Sequence, residues 1–490
     1  MHRDRREVGS GFVADVAGRG RPPAVAIALA ALAVVAASGA VAAGAGRGAR
    51  GTVSREHSVG HDLFVKIWTP AETGPGRPGG DGLGPLYNAD SCVACHHQGG
   101  VGGSGANDRN VTILTSSAGT PGLPADVFLF KGELEDLHPG FRGRSSVVLH
   151  RESTSAADKD RLVKIRNYHT AQTRDDLIAL ARTERSTPAL FGAGLIDTIH
   201  DDVLVEAERR KYPGSPEISG RVARLKDGRI GRFGWKGQTA RLDDFVLAAC
   251  SNELGLEVPG HHQASLASAK EFDPAKLGLD LDRADCNRLT SFVRSLPRPA
   301  FRPVDPIAPF AGRAVFEAIG CATCHTPTLG PVDGLYSDLL LHDLGDRFRD
   351  SGSGYGGSES PGPVVDKSGG TGDGEGRPQP TGEAAPTEWR TAPLWGVAAS
   401  APYLHDGRAR TLDEAILLHG GEAARSAARY ARLGREERSA LIALLRSLTA
   451  PPPPPGRNRP RGMGIGLDSR PTPAGGMAAA GRPAGCCNFL

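Results

Sequence analysis

Two short stretches of this 490-residue chain carry chemistry in their spacing, Cys92-Val93-Ala94-Cys95-His96 and Cys321-Ala322-Thr323-Cys324-His325. Two thiols separated by two residues can add to the two vinyl groups of one haem. The histidine that follows then reaches the iron from the proximal side. A chain of this composition would produce C-x-x-C-H by chance only about 0.004 times. A four-cysteine zinc ribbon would need its two pairs roughly 15–20 residues apart and would leave both histidines without a task; here the pairs lie far apart in the chain. The spacing therefore predicts two covalently bound haem c groups, attached at Cys92, Cys95, Cys321 and Cys324, with His96 and His325 on the metals.

A sixth ligand must come from elsewhere. Methionine is the common partner in small c cytochromes, but the three methionines are Met1, Met463 and Met477, all near the chain ends. In the second half, Thr411-Leu412-Asp413-Glu414 has the pattern of a capping box that opens a helix. On that helix Leu412, Ala415, Ile416 and His419 share one face at i, i+3, i+4 and i+7. His419 is therefore the candidate distal ligand there. The matching helix of the first half carries Leu242, Phe245, Val246 and Ala249, and an alanine cannot ligate. The first metal is thus the one expected to be open, or closed only by a loop residue. His150, reached through the apolar run Val147-Val148-Leu149, is the candidate for that loop residue, with His261 and His262 competing. His97 is expected beside the haem and His342 in a structural role. Cys250 and Cys286 leave a disulfide or two buried thiols open.

The elements that must position these residues recur in the same order. Thr187–Gly192 (TPALFG) matches Thr391–Gly396 (TAPLWG). Phe233–Asp244 aligns without gaps on Tyr403–Glu414, and Leu289–Leu296 (LTSFVRSL) aligns on Leu441–Leu448 (LIALLRSL). Each half begins with a haem motif and ends with an amphipathic helix. The fold class expected is mainly α: two cytochrome c-like haem domains from an internal duplication, with long loops. The expected organisation is an N-terminal haem domain over 55–300 and a C-terminal one over 305–450, the latter carrying a Gly-rich insertion at 351–386. The 66 glycines and 37 prolines fit such loops. Residues 1–45 read as an export signal, with a basic start, the apolar run Ala24–Ala37 and Ala40-Val41-Ala42 as a cleavage pattern. An uncleaved anchor is the alternative. Residues 451–490 read as a disordered tail. The net charge of +3 combines Arg-rich ends with a mildly acidic body, which gives no electrostatic case for nucleic acid. The expected location is periplasmic, with membrane contact only if the N-terminal segment stays uncleaved.

SCVACH, TPALFGAGLID, GRFGWKGQ, NELGLEVPGHH, YSDLLLHDLG, EWRTAPLWG, PYLHDGRARTLDEAILLHGGEA and LLRSL together resemble the di-haem oxidoreductase family, whose members are labelled peroxidase or thiol oxidoreductase. More distantly the arrangement is similar to bacterial di-haem cytochrome c peroxidases and to the di-haem maturase of methylamine dehydrogenase. The resemblance implies that the N-terminal haem is the peroxide site and that the C-terminal one transfers electrons. It implies a bis-His second haem through His419, an inter-haem tryptophan at Trp235 and an acid/base carboxylate at Glu253. It further implies calcium on the carbonyls of Ser400 and Pro402. Expected partners are a small redox protein or cytochrome c as electron donor and hydrogen peroxide or another small oxidant. A non-catalytic electron-transfer cytochrome and a maturase that oxidises a partner protein are the alternatives. The label thiol oxidoreductase has no support in the residues, because the non-haem cysteines form no C-x-x-C pair.

Overall fold

Two helix crossings frame the molecule, and each turns on one glycine. Helix α1 (Gly46–Val65) packs on α3 (Arg283–Ser295), and α4 (Ala308–Ala318) packs on α6 (Arg435–Ser447). A Cβ on Gly60 would lie 2.2 Å from the Arg288 carbonyl and 2.8 Å from the Phe292 Cβ; one on Gly312 would lie 2.1 Å from the Ala440 carbonyl and 2.9 Å from the Leu444 Cβ. The missing side chains let the backbones approach. Under the sequence alignment Arg288 falls on Ala440 and Phe292 on Leu444, so the two crossings use equivalent positions. The partner helices bury one face at i, i+3, i+4 and i+7: Cys286, Leu289, Thr290 and Val293 on α3, and Leu441, Leu444, Leu445 and the following Leu448 on α6. Asp282 caps α3 by accepting from the Asp285 amide at 2.8 Å.

This computed structural model describes residues 46–71, 79–116, 135–141, 146–167, 180–266, 278–305, 307–350 and 384–452. The export or anchor segment, most of the Gly-rich insertion and the C-terminal tail lie outside them. Contacts divide the chain into Met1–Pro451 and Pro452–Leu490, and every element below belongs to the first unit. Among the described residues no helix is long and apolar enough to cross a membrane.

The molecule is mainly helical, with a few small sheets. The largest of these among the described residues was not anticipated within the mainly α expectation. Strand β1 (Val111–Ser116) lies between β2 (Ser146–Leu149) and β3 (Leu180–Arg185), antiparallel to both. The β-branched run Val111-Thr112-Ile113 and the buried Val147-Val148-Leu149 suit a pleated surface better than a helix. β3 delivers Arg185 and Ser186 to the middle of the molecule. A short pair, β4 (Leu341–Asp343) with β5 (Glu388–Arg390), closes the base of the insertion. One apolar core runs from Phe64, Leu190 and Phe292 to Leu335, Leu340 and Trp395, joining residues from both halves; a second gathers Phe316, Tyr336, Leu412, Tyr430 and Leu441.

The aligned segments around Trp235 and His405 share backbone geometry. Phe233 bridges Thr239, and Tyr403 bridges Ala409. Gly234 and Leu404 both have positive φ (80° and 73°), as do Gly237 and Gly407 (63° and 72°). Each loop leads into a helix, α2 (Leu242–Glu253) in the first half and α5 (Leu412–Leu418) in the second. The capping box on α5 forms as expected: the Thr411 hydroxyl accepts from the Glu414 amide, and the Glu414 carboxylate reaches back to the Thr411 amide.

The loops are also clasped reciprocally. Ser186 of the first half donates from its amide to the His405 carbonyl at 2.6 Å and from its hydroxyl to the Leu404 carbonyl at 3.0 Å. Arg390 of the second half donates from its amide to the Trp235 carbonyl at 3.0 Å and from Nε to the Gly234 carbonyl at 2.7 Å. Ser186 and Arg390 each immediately precede the matched TPALFG and TAPLWG segments. Each half therefore holds the other half's loop at the corresponding pair of carbonyls.

Candidate functional site

Each C-x-x-C-H motif opens on a single helical turn, Cys92–Cys95 and Cys321–Thr323, with its histidine beyond the turn. His96 directs Nδ1 to the Gly103 carbonyl at 3.1 Å, and His325 directs Nδ1 to the Tyr336 carbonyl at 3.0 Å. A carbonyl accepts, so Nδ1 carries the proton and Nε2 keeps its lone pair. Burial pushes both imidazoles down to about 4, so they are neutral donors at ordinary pH. Cys92, Cys95 and Cys321 are pushed up to about 12, chiefly by burial, and Cys324 is raised from the same cause. These are protonated thiols, the form whose S–H adds across a vinyl double bond.

The first motif opens on a cavity lined by Cys92, Cys95, His96, Ala249, Glu253 and Trp235, and the second on a larger one containing Cys321, Cys324, His325, His419, His405 and Trp235. Both are walled mainly by apolar side chains such as Phe64, Leu190, Phe245 and Leu445. Trp235 and Phe245 line both, and Ser186–Pro188 runs along both. The Trp235 indole donates to the Ser186 carbonyl at 2.9 Å, which fixes the ring between the two.

His419 shares the second cavity with His325, and the two rings lie close enough for each charge to oppose the other. It is the residue just beyond α5 rather than its last helical one (φ −55°, ψ 127°). Its Nδ1 donates back to the Ala415 carbonyl at 2.7 Å, one of the open carbonyls of the helix end. Its Nε2 thereby keeps its lone pair, as in His325. Ala249 occupies the aligned place beside His96.

Glu253 ends α2 inside the first cavity, where Asn88 donates to its Oε2 at 2.8 Å. It is close enough to Cys95 to raise that thiol. His150 corrects an expectation, because it does not line either cavity. It directly follows β2, and its Nε2 meets the carbonyl of Asn252 on α2 at 2.9 Å. His261 and His262 are equally remote: His262 pairs with Glu257 at 2.5 Å, and neither lines a haem-motif cavity. Cys250 and Cys286 are free, buried thiols rather than a disulfide. Cys250 lines the first cavity, whereas Cys286 points to the Leu281 carbonyl at 3.8 Å.

His342 is tied into a frame of carboxylates. Its Nε2 meets Asp338 at 3.0 Å and its Nδ1 meets Glu422 at 2.7 Å. Burial alone would lower its pKa, but Asp338, Cys324 and Glu422 together hold it well above the ordinary value. It lies with Cys324 and Asp338 in a cluster of three metal-ligating side chains, and Cys324 also belongs to the second C-x-x-C-H motif. Ser400 and Pro402 line the second cavity at a cis Ala401–Pro402 bond.

Sequence reasoning missed the polar frame around Trp235. The Lys236 ammonium donates to the carbonyls of Ala385, Pro386 and Glu388 at 3.1, 3.0 and 2.7 Å, and burial lowers its pKa to about 7. Arg221 forks onto Glu388 at 2.8 and 2.5 Å, and Arg185 pairs with Asp350. The His405 ring stacks on Trp389 at 3.6 Å. Most of these contacts join residues far apart in the chain, and several end on backbone carbonyls, so no local spacing announces them.

Paired thiols, carbonyl-anchored imidazoles and apolar cavities fit haem at two sites, the equipment of a di-haem redox protein. Residues 364–448 match the family described as "Di-haem oxidoreductase, putative peroxidase", so the chain carries that family's signature over its C-terminal segment. Among solved structures it is similar to hydrazine synthase of Kuenenia stuttgartiensis, with 20% identity over 54% of this chain and 73% of that one and a TM-score of 0.31. It is also similar to a MauG-like protein associated with microbial copper homeostasis, with 16% identity over 52% of this chain and 90% of that one and a TM-score of 0.27. No curated protein matches the chain.

Proposed function

We propose that the protein is an exported di-haem c-type oxidoreductase in which the second site takes up electrons and the first reduces hydrogen peroxide or another small oxidant. The observation that carries this reading is the difference between the sites: His419 faces the same cavity as His325, whereas Ala249 stands in the corresponding place beside His96. One site is equipped to be closed on both sides, and the other leaves room for a substrate.

Cys92, Cys95 and His96 would hold one haem and Cys321, Cys324, His325 and His419 the other, each formed by S–H addition to vinyl groups. When bound, the haems supply one-electron storage and the redox change that breaks the O–O bond. The protein residues manage protons and geometry. Glu253, fixed by Asn88, is placed to take a proton from incoming peroxide and return it to the leaving oxygen. With two electrons and two protons, peroxide becomes two waters. Trp235, held by Ser186, occupies the ground between the sites. A small redox protein or cytochrome c is the donor class, calcium at Ser400 and Pro402 remains part of the proposal, and the periplasm is the proposed location. The matched loops, helix crossings and reciprocal clasp support descent of the two halves from one duplicated haem-binding unit over 55–300 and 305–450.

Peroxide-dependent oxidation of reduced cytochrome c by the purified holoprotein tests this reading. Turnover well above that of free haem is expected, and turnover no better than free haem would defeat it.

A further inference from the structure

The second cavity contains a cation that no described carboxylate answers. Of the arginines on its wall, Arg232 pairs with Asp201, whereas Arg390 makes no ion pair with a carboxylate among the described residues. Arg390 spends Nε on the Gly234 carbonyl at 2.7 Å and Nη1 on the Thr391 carbonyl at 3.2 Å. Asp338, the acid whose charge reaches it, is already engaged with His342 at 3.0 Å. Burial pulls the guanidinium down to about 10, still high enough to keep it charged. Arg390 is half-buried on the cavity wall, and a guanidinium partly drawn out of water is favoured by a counter-charge.

A haem brings two carboxylates of its own. We propose that Arg390 holds a propionate of the haem attached at Cys321 and Cys324, an assignment that rests on the reading above that a haem occupies this cavity. A guanidinium fork suits a carboxylate, and the Nη2 corner makes no hydrogen bond among the described residues. The same residue donates to the Gly234 and Trp235 carbonyls, so it joins the cofactor's acid edge to the loop that carries the inter-site tryptophan. The aligned residue of the first half, Ser186, carries no charge. The charge at this position is therefore a feature of the second half alone.

The test is a reduction-potential titration of each haem in the holoprotein, comparing wild type with Arg390→Met and Arg390→Lys after mass spectrometry has confirmed two haems in each. An unneutralised propionate favours the oxidised metal, so Arg390→Met should lower the potential of the second haem. Arg390→Lys should retain most of the wild-type value, and the first haem should not move. An unchanged second potential in Arg390→Met, or a shift confined to the first haem, would overturn the assignment. If Arg390→Met does not accumulate, the propionate bending band in the resonance Raman spectrum of Arg390→Lys serves instead. It should differ from wild type because a point charge replaces the fork, and an identical band would overturn the proposal. A wild-type mass without haem would overturn the cofactor reading itself, and this assignment with it.

Discussion

The two cavities are assembled from corresponding parts and finished differently. In both, a C-x-x-C turn presents an imidazole whose Nδ1 is tied to a carbonyl, and a loop with two positive-φ residues leads into a helix that lines the far wall. The helix of the second half is followed by His419, and that of the first half carries Ala249 and ends on Glu253. At the loop tips the first half presents Trp235, which touches both cavities, and the second presents His405, which stacks on Trp389. A shared backbone can thus place unlike chemistry at equivalent points. Under the proposed function, division of labour between the two sites would need only a few substitutions at such positions.

The comparison breaks most sharply if the first site is made to resemble the second. Ala249→His should supply a distal ligand beside His96 and remove nearly all peroxide turnover, with the first haem becoming low-spin in its absorption spectrum. Glu253→Gln keeps the Asn88 contact but loses the proton carrier. Turnover should fall by about 10²- to 10⁴-fold, the usual contribution of a general acid–base group, with both haem spectra unchanged. Trp235→Phe should have a smaller effect, slowing transfer between the sites in a rapid-mixing experiment while the peroxide dependence of turnover stays the same.

Stability offers a check on the matched crossings. Gly60→Ala and Gly312→Ala should each cost about 1–3 kcal/mol in denaturant unfolding, since each forces a methyl group against a carbonyl of the partner helix. A cost at only one crossing would mean that they are not equivalent.

The smallest effect concerns pH. Burial, reinforced by Arg185, Arg408 and Lys236, lowers His405 to about 2 from the ordinary 6.5. Below about 6.5 the unfolded chain takes up a proton that the folded chain refuses, so stability falls as the pH drops through that value. His405→Phe keeps a ring on Trp389 and should flatten part of this acid dependence in unfolding curves.

Much of the candidate site was legible because the C-x-x-C-H pattern ties residue types to rigid local spacing. Cys92, His96, Cys321 and His325 announce themselves in five-residue windows, and His419 follows from a helix periodicity that the capping box anchors. Trp235 and Glu253 became visible through family resemblance, and both line the first cavity. His150 lines neither cavity, because an apolar approach in sequence says that a residue is buried, not which site it faces. The three-stranded sheet was hidden because its strands are separated by long stretches, although Val111–Thr115 and Val147–Leu149 carry β-branched residues that argue for it. Arg390 lay inside a quoted motif, EWRTAPLWG. Its signal was a cation standing where the other half has Ser186, but a missing counter-charge can be seen only when the cavity around it is known.

Electron paramagnetic resonance of the oxidised holoprotein addresses the difference between the sites most directly. One low-spin ferric signal of bis-imidazole type beside one high-spin signal is the predicted spectrum, and His419→Ala should convert the low-spin signal alone. Two low-spin signals of equal intensity in the wild type would contradict an open first site, and with it the division of roles between the halves.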